Sequence, residues 1–266
     1  MGNDADEIRN WWSTSIIDMS PGKISFRGNE IENLIGNISF PQMIWMMVRG
    51  GLPTNEEASL FEAALVAGVD HGPQAPSIAA ARMAATCGVG INNAMATGIN
   101  MLGDIHGGAG EQCAELFYEI SSRIDNGATF EKAIQEALRE WESGNGKIIS
   151  GFGHRFHKPI DPRAPRLLEL VRLAAKDNIV SGKYADIAEA IQSHLSIKKD
   201  IAMNIDGATA VIFCELGFPA PLSRGLFCLS RSVGILSHAW EQIEQGGRNK
   251  GPMPPKYLPK YISKNT

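Results

Sequence analysis

Along most of the chain, apolar residues recur every three or four positions, the period of an amphipathic helix rather than of a strand. Ser39-Phe40-Pro41-Gln42 has the form of a capping box with proline in the first turn. It precedes Met43, Ile44, Met47 and Val48 at helical spacing and a Gly50-Gly51 stop. Thr54-Asn55-Glu56-Glu57 repeats that logic ahead of Leu60, Phe61, Ala64, Leu65 and Gly68. Further helical stripes follow: Ala114, Phe117, Ile120 and Ile124; Phe130, Ile134, Leu138 and Trp141; Leu167, Val171 and Ala174; Ile187, Ile191 and Leu195; and Leu226, Leu229, Val233, Leu236 and Trp240. Asn126-Gly127, Gly144-Asn145-Gly146 and Gly246-Gly247 supply stops. Only Ser15-Ile16-Ile17 and Lys23-Ile24-Ser25-Phe26, around the turn Ser20-Pro21-Gly22, read as strands, and they predict a small hairpin. The fold class is therefore mainly α.

Two stretches do not follow the apolar pattern. Ala75 to Ala96 is rich in Ala and Gly, and Asn100 to Gly110 is rich in Gly. Small residues at helical spacing let backbones approach closely, within one subunit or across a dimer interface. The tail from Gly246, with Pro252, Pro254, Pro255 and Pro259, reads as an extended arm.

Composition narrows the class. A chain of 266 residues, 44% of them hydrophobic, can bury roughly 70–75% of its unfolded surface and needs no covalent staples. The balance of 25 basic and 29 acidic side chains argues against nucleic acid or acidic membrane as a partner. Cys87, Cys113, Cys214 and Cys228 form no CxxC pair, which fits a reducing cytoplasm, and neither a secretory leader nor a membrane span is expected.

Polar residues concentrate in four glycine-flanked places: Asp70-His71-Gly72, Asp104-Ile105-His106-Gly107, Gly153-His154-Arg155 and Asn204-Ile205-Asp206-Gly207. Singly, each side chain fits a helix cap or a satisfied turn residue; four such places together suggest a site. A metal centre is not expected, because no HExxH or CxxC spacing is present and His154 with His157 has only Asp161 nearby. A Ser or Cys nucleophile lacks its motif.

GFGHRFHKPIDPRAPRL at 151–167, DIHGGAGE from 104, NIDGATA from 204, LSRSVGILSHAWEQ from 229 and SFRGNEIENL from 25 together resemble the citrate synthase superfamily. Within it, the branch of citryl-CoA lyase and the C-terminal module of ATP-citrate lyase is the most similar. The resemblance implies a two-lobed helical fold, with a large lobe from 1–107 and 207–266 and a small lobe from 108–206, in a homodimer. It implies His106, His154 and Asp206 as catalytic groups, and His71, Arg163 and Arg231 as holders of substrate carboxylates. Lys158, or more weakly Arg155, would meet coenzyme A phosphates. No permanently bound cofactor is implied; the coenzyme A thioester is substrate or product. His157, His194 and His238 read as structural.

These residue types suit the chemistry. Making or breaking a bond between a thioester methyl carbon and a ketone carbon needs a base for a weakly acidic C–H and hydrogen-bond donors to two oxygens. In the cleavage direction His154 is expected to take the hydroxyl proton, His106 to hold the enolate, and Asp206 to protonate its carbon. Arginine suits the carboxylates because its fork binds both oxygens. The Asp-His-Gly-Pro around His71 and the reduced segment between Gly51 and Asp70 favour cleavage of citryl-CoA to acetyl-CoA and oxaloacetate. Citrate or 2-methylcitrate synthesis is the alternative, and a non-catalytic coenzyme A ester-binding paralogue a more distant one. Synthases of this kind send a C-terminal arginine into the partner's site; here the tail offers Arg248 or Lys250.

Overall fold

The computed structural model describes residues 7–197 and 201–263. The chain divides into two compact units, 1–62 and 63–266.

The first unit contains the predicted hairpin, shifted slightly and extended by a third strand. Strands β1 (Ile17–Ser20), β2 (Lys23–Phe26) and β3 (Asn29–Glu30) pair antiparallel in that order, with Ile17 opposite Phe26 and Ser25 opposite Glu30. A short helix, α1 (Ile31–Leu34), follows, then α2 (Phe40–Arg49). Ser39 caps α2 as its spacing predicts: its hydroxyl accepts from Gln42 N–H while the Gln42 side chain accepts from Ser39 N–H. The buried face of α2 differs from the expected one. Trp45 and Met46 are buried and Val48 is exposed, because Trp45 packs edge-on against Phe61 at 5.8 Å and Met46 Sδ meets the Asn29 amide. Arg27 donates to Met47 O and to Ser15 Oγ, tying the hairpin to the end of α2.

Helix α3 (Asn55–Gly68) leads into the second unit. That unit holds α4 (Pro76–Ala85), α5 (Ile91–Ile99), α6 (Ala109–Asp125), α7 (Phe130–Asn145), α8 (Arg163–Lys176), α9 (Lys183–Ser196), α10 (Ile205–Glu215) and α11 (Ala220–Glu244). Two groups of helices stand out. In one, α4, α5 and α11 pack on one another; in the other, α10 packs on α6 and α8 and also contacts α9.

The Ala- and Gly-rich stretch from Ala75 to Ala96 serves the first group, while that from Asn100 to Gly110 leads into α6. Ala75, Ile78, Ala81, Ala94, Ile235 and Ala239 form one buried cluster. A Cβ at Gly98 would stand 2.9 Å from Ser77 O and 2.8 Å from Ile235 Cγ2, so α5 lies against α4 and α11 at a separation only glycine permits. This also reverses the expected core face of α11. Leu226 is buried, but Leu229, Val233, Leu236 and Trp240 are exposed, while Ser230, Arg231, Gly234, Ile235 and Ala239 face inward. Close backbone contact here excludes the bulky stripe, which stays on the open side. Elsewhere the predicted faces are buried, with Phe117 and Ile120 of α6, Ile134 and Leu138 of α7, Leu167 and Val171 of α8, and Ile187 and Ile191 of α9 all interior. No helix among the described residues is long and apolar enough to cross a membrane.

Candidate active site

His106 sits in the tight turn before α6, where Gly103 N–H donates to His106 O at 2.8 Å. Gly107 has φ +100, and a Cβ at Gly108 would meet Asp104 O at 2.8 Å, so the turn depends on both glycines. Arg224 of α11 pins it from outside through Asp104 Oδ1 at 2.6 Å. The ring then meets the start of α4: Ser77 N–H donates to His106 Nε2 at 3.2 Å, and Ser77 Oγ lies 3.0 Å from the same nitrogen. Accepting at Nε2 puts the ring hydrogen on Nδ1. Burial, then the Arg231 charge, hold the imidazole below its ordinary pKa, so His106 is a neutral Nδ1–H donor at neutral pH.

His154 is fixed in the opposite tautomer. Its Nδ1 accepts from the backbone N–H groups of Phe156 at 3.0 Å and His157 at 2.9 Å, which leaves the hydrogen on Nε2. Burial and the neighbouring His157 lower its pKa. The loop carrying it is held against the residues before α10. Asn204 N–H donates to Gly151 O at 3.0 Å, Asn204 Nδ2 to Gly153 O at 2.6 Å, and Gly153 N–H to Ala202 O at 2.7 Å. A Cβ on Gly207 would lie 2.4 Å from Gly151 O, so the GFGH loop and the Asp206-Gly207 turn need each other's glycines.

Asp206 occupies the first turn of α10, where burial raises its carboxyl against the opposing pull of Arg231 and Arg163. Asp161 organises the space beneath. Its fully buried carboxylate takes Arg163 Nε and Nη2 at 3.0 and 2.9 Å and the N–H groups of Arg163 and Ile205 at 3.1 and 3.0 Å. Burial alone would raise its pKa; those bonds outweigh it and hold the carboxyl low. One carboxylate therefore aims Arg163 and anchors the start of the helix that carries Asp206.

Arg231 is 5% exposed, donates from Nε to Gly68 O at 3.0 Å and stacks over Phe227 at 4.9 Å. Its charge acts on His71, His106 and Asp206. His71 stands on the turn after α3, with its ring 5.1 Å from that of His154 and 5.6 Å from that of His157, and is held below its ordinary pKa by burial and then by Arg163 and Arg231. Asp70 shapes that turn by accepting from Gly72 N–H and from His238, whose other nitrogen faces Arg82 at 3.0 Å. His238 thus has a local partner set that its sequence did not disclose.

His71, His154, Asp161 and Arg163 line two open cavities, whereas His106, Asp206 and Arg231 line neither. One, of about 610 Å³, is lined by His154, His157, Lys158 and Asp161 among others; a second, of about 550 Å³, by His71, Gln74, Phe156, His157 and Arg163. Lys158 thus stands at a cavity wall, whereas Arg155 is exposed and lines neither. His157, left without a role by its sequence, is in both linings, and its ring centroid is 4.5 Å from that of His154. Only the folded chain brings His71 to this i, i+3 pair. The nitrogens of His71, His154 and His157 approach within 4.8 Å of one another, the spacing of a three-imidazole metal site. His154 fits that use poorly: Nδ1 is occupied by two backbone donors, and freeing Nε2 as a ligand would place a hydrogen between them. In the tail, Asn249 N–H donates to Thr86 O and Lys250 N–H to Thr86 Oγ1, at the end of α4 opposite Ser77. A ten-residue helix spans about 15 Å, so within its own chain this segment stays away from His106.

The sequence profile of the citrate synthase C-terminal domain matches residues 55–252. The chain belongs to the citrate synthase family. It is 32% identical over 202 residues to the citrate synthase of Saccharolobus solfataricus, covering 74% of this chain and 51% of that protein. The chain spans about half the length of the curated relatives it matches. Among solved structures, the citryl-CoA lyase of Hydrogenobacter thermophilus superposes with a TM-score of 0.83 at 31% identity, over 97% of this chain and 96% of that one. The ATP citrate lyase of Methanothrix soehngenii, solved with citrate and coenzyme A, shares the fold at a TM-score of 0.79 and 22% identity, over 99% of this chain and 44% of that one.

Proposed function

We propose that this family member is a citryl-CoA lyase, cleaving citryl-CoA to acetyl-CoA and oxaloacetate. The observation that carries the reading is a pair of neutral histidines fixed in opposite tautomers and a carboxyl of raised pKa, each under the charge of Arg231 or Arg163. That set offers a donor for each of two oxygens and a proton carrier for one carbon. The near end-to-end superposition on a citryl-CoA lyase supports the cleavage direction.

In this reading Arg163, Arg231 and His71 hold the carboxylates of the oxaloacetate half. His106 Nδ1–H points at the thioester oxygen and stabilises the enolate released when the carbon–carbon bond breaks. Asp206, whose raised pKa favours the acid, protonates the enolate carbon. His154 Nε2–H donates to the oxygen that changes from hydroxyl to ketone. The two backbone donors on Nδ1 leave Nε2 as the nitrogen that faces this oxygen, where the expected exchange of the hydroxyl proton with His154 takes place. Lys158 at the cavity wall faces the coenzyme A phosphates. The second reading, citrate or 2-methylcitrate synthesis, draws on the curated relatives, which are synthases, and on His154 being already in donor form.

The enzyme acts as a homodimer in this reading. The exposed stripe Leu229, Val233, Leu236, Trp240 and Ile243 on α11 supports it, since that heptad spacing suits a helical partner. Mixing the protein with citryl-CoA, and separately with acetyl-CoA and oxaloacetate, tests the direction. Fast oxaloacetate release from the first mixture with little citrate from the second is expected; efficient citrate formation would overturn the lyase reading.

A further inference from the structure

The turn that carries His71 is gripped by one face of α11. Arg231, Gly234 and His238 stand at i, i+3 and i+7 on that helix and meet three successive residues, Gly68, Val69 and Asp70. Arg231 Nε donates to Gly68 O at 3.0 Å, and a Cβ on Gly234 would collide with Val69 O. His238 Nε2 lies 3.2 and 3.3 Å from the two carboxylate oxygens of Asp70. His71 is the next residue, and the same carboxylate accepts from Gly72 N–H at 3.1 Å. Asp70 is therefore bonded on one side to the turn and on the other to α11.

His238 can serve that contact in one tautomer only. Its Nδ1 lies 3.0 Å from Arg82 Nη1, and a guanidinium donates without accepting. Nδ1 is thus the acceptor, and the ring hydrogen sits on Nε2, aimed at Asp70. Arg82 is itself held by Glu241 and, at 2.8 Å, by Gln245 Oε1, one and two turns along α11 from His238. It rises from α4, the helix whose first turn meets His106 through Ser77. We infer that His238 is a positioning residue for His71: its Nε2–H, fixed by Arg82, holds Asp70 and thereby sets the His71 imidazole for the carboxylate that it binds. The assignment rests on the reading of His71 as a holder of the oxaloacetate half. In this role His238 touches no substrate, and it lines neither cavity.

Oxaloacetate binding, followed by titration calorimetry, tests the assignment whichever way the reaction runs. His238→Leu removes the donor, whereas His238→Gln replaces it with an amide N–H at about the reach of Nε2. A hydrogen bond to a charged group is worth about tenfold or more, so oxaloacetate affinity should fall by at least that factor in His238→Leu and stay within about threefold of the wild type in His238→Gln. Acetyl-CoA affinity should stay within about threefold in both, and the loss in turnover should fall on the KM of the carboxylate substrate rather than on kcat. Unchanged oxaloacetate affinity in His238→Leu overturns the assignment, and so does an equal loss in both variants or a parallel loss of acetyl-CoA affinity. Should His238→Leu fail to fold by circular dichroism, His238→Asn, whose shorter amide does not reach Asp70, is read against the same thresholds. His71→Ala separates the two claims. If it binds oxaloacetate like the wild type, the carboxylate role of His71 falls and its positioning with it, whereas a loss there that His238→Leu does not share removes the positioning residue alone.

Discussion

The helices α4, α5 and α11 hold their share of the site by volume, whereas the loop from Gly151 to Arg163 holds its share by hydrogen bonds. On the helical side, Arg231 is placed because small residues let backbones touch: a Cβ at the neighbouring Gly234 would collide with Val69 O, beside the turn that carries His71. On the loop side, His154, Arg163 and Asp206 are placed by Asn204 and Asp161, whose polar atoms bond backbone groups and, for Asp161, the Arg163 guanidinium as well. A packed surface fails when atoms are added; a bonded loop fails when a partner is removed.

The largest effect that would sharpen this contrast is chemical. Asp206→Asn should lower turnover by about 10²–10⁴-fold in either direction. Its raised pKa means that the carboxyl favours the folded state only at low pH, and that this contribution is lost as pH rises through the folded value. At neutral pH the variant should therefore be the more stable one, by about 1 kcal/mol in denaturant titration; lower stability would contradict the raised carboxyl. Asp161→Asn comes next. Breaking a buried ion pair costs about 3–5 kcal/mol, and the Arg163 fork and the start of α10 should loosen together, read as a fall in melting temperature with a rise in substrate KM. Gly234→Ala tests the helical side, with about 1–3 kcal/mol lost through overpacking and no polar partner removed. If Gly234→Ala were neutral and the Asp161 variant well folded, the contrast would fail. Ser77→Ala should matter least, costing about 1 kcal/mol or less, because the backbone N–H of residue 77 still fixes the His106 tautomer.

A pH series separates the histidines from these effects. His71, His106 and His154 all have folded pKa values below the free 6.5, so the stability that they contribute is present above about pH 6.5 and is lost as pH falls towards the folded values. Denaturation midpoints should drop between pH 7 and 5, and a flat profile would mean that these rings are not held neutral.

Much of this was legible in the sequence where the signal is local. The Ser39 capping box, the stops at Asn126 and Gly146, and the buried faces of α6 to α9 follow from spacing within a few residues. The glycine-flanked polar clusters marked residues that the folded chain gathers around Arg231 and Arg163. The same reading misplaced the core faces of α2 and α11, because a hydrophobic stripe states which residues prefer burial and not which neighbour will cover them.

By itself the sequence determined a mainly helical chain, the caps and breaks of its helices, and the residue types of an acid–base site. What only the tertiary structure decided is how these groups differ in role. Two histidines of one chemistry become opposite donors because one meets the start of α4 and the other its own loop's N–H groups. His71 arrives from far upstream to stand against His154 and His157, and α11 turns its small residues inward because Gly98 and Gly234 let its neighbours approach. Tautomer, burial and close approach depend on partners distant in the chain, and no local pattern of residues carries that information.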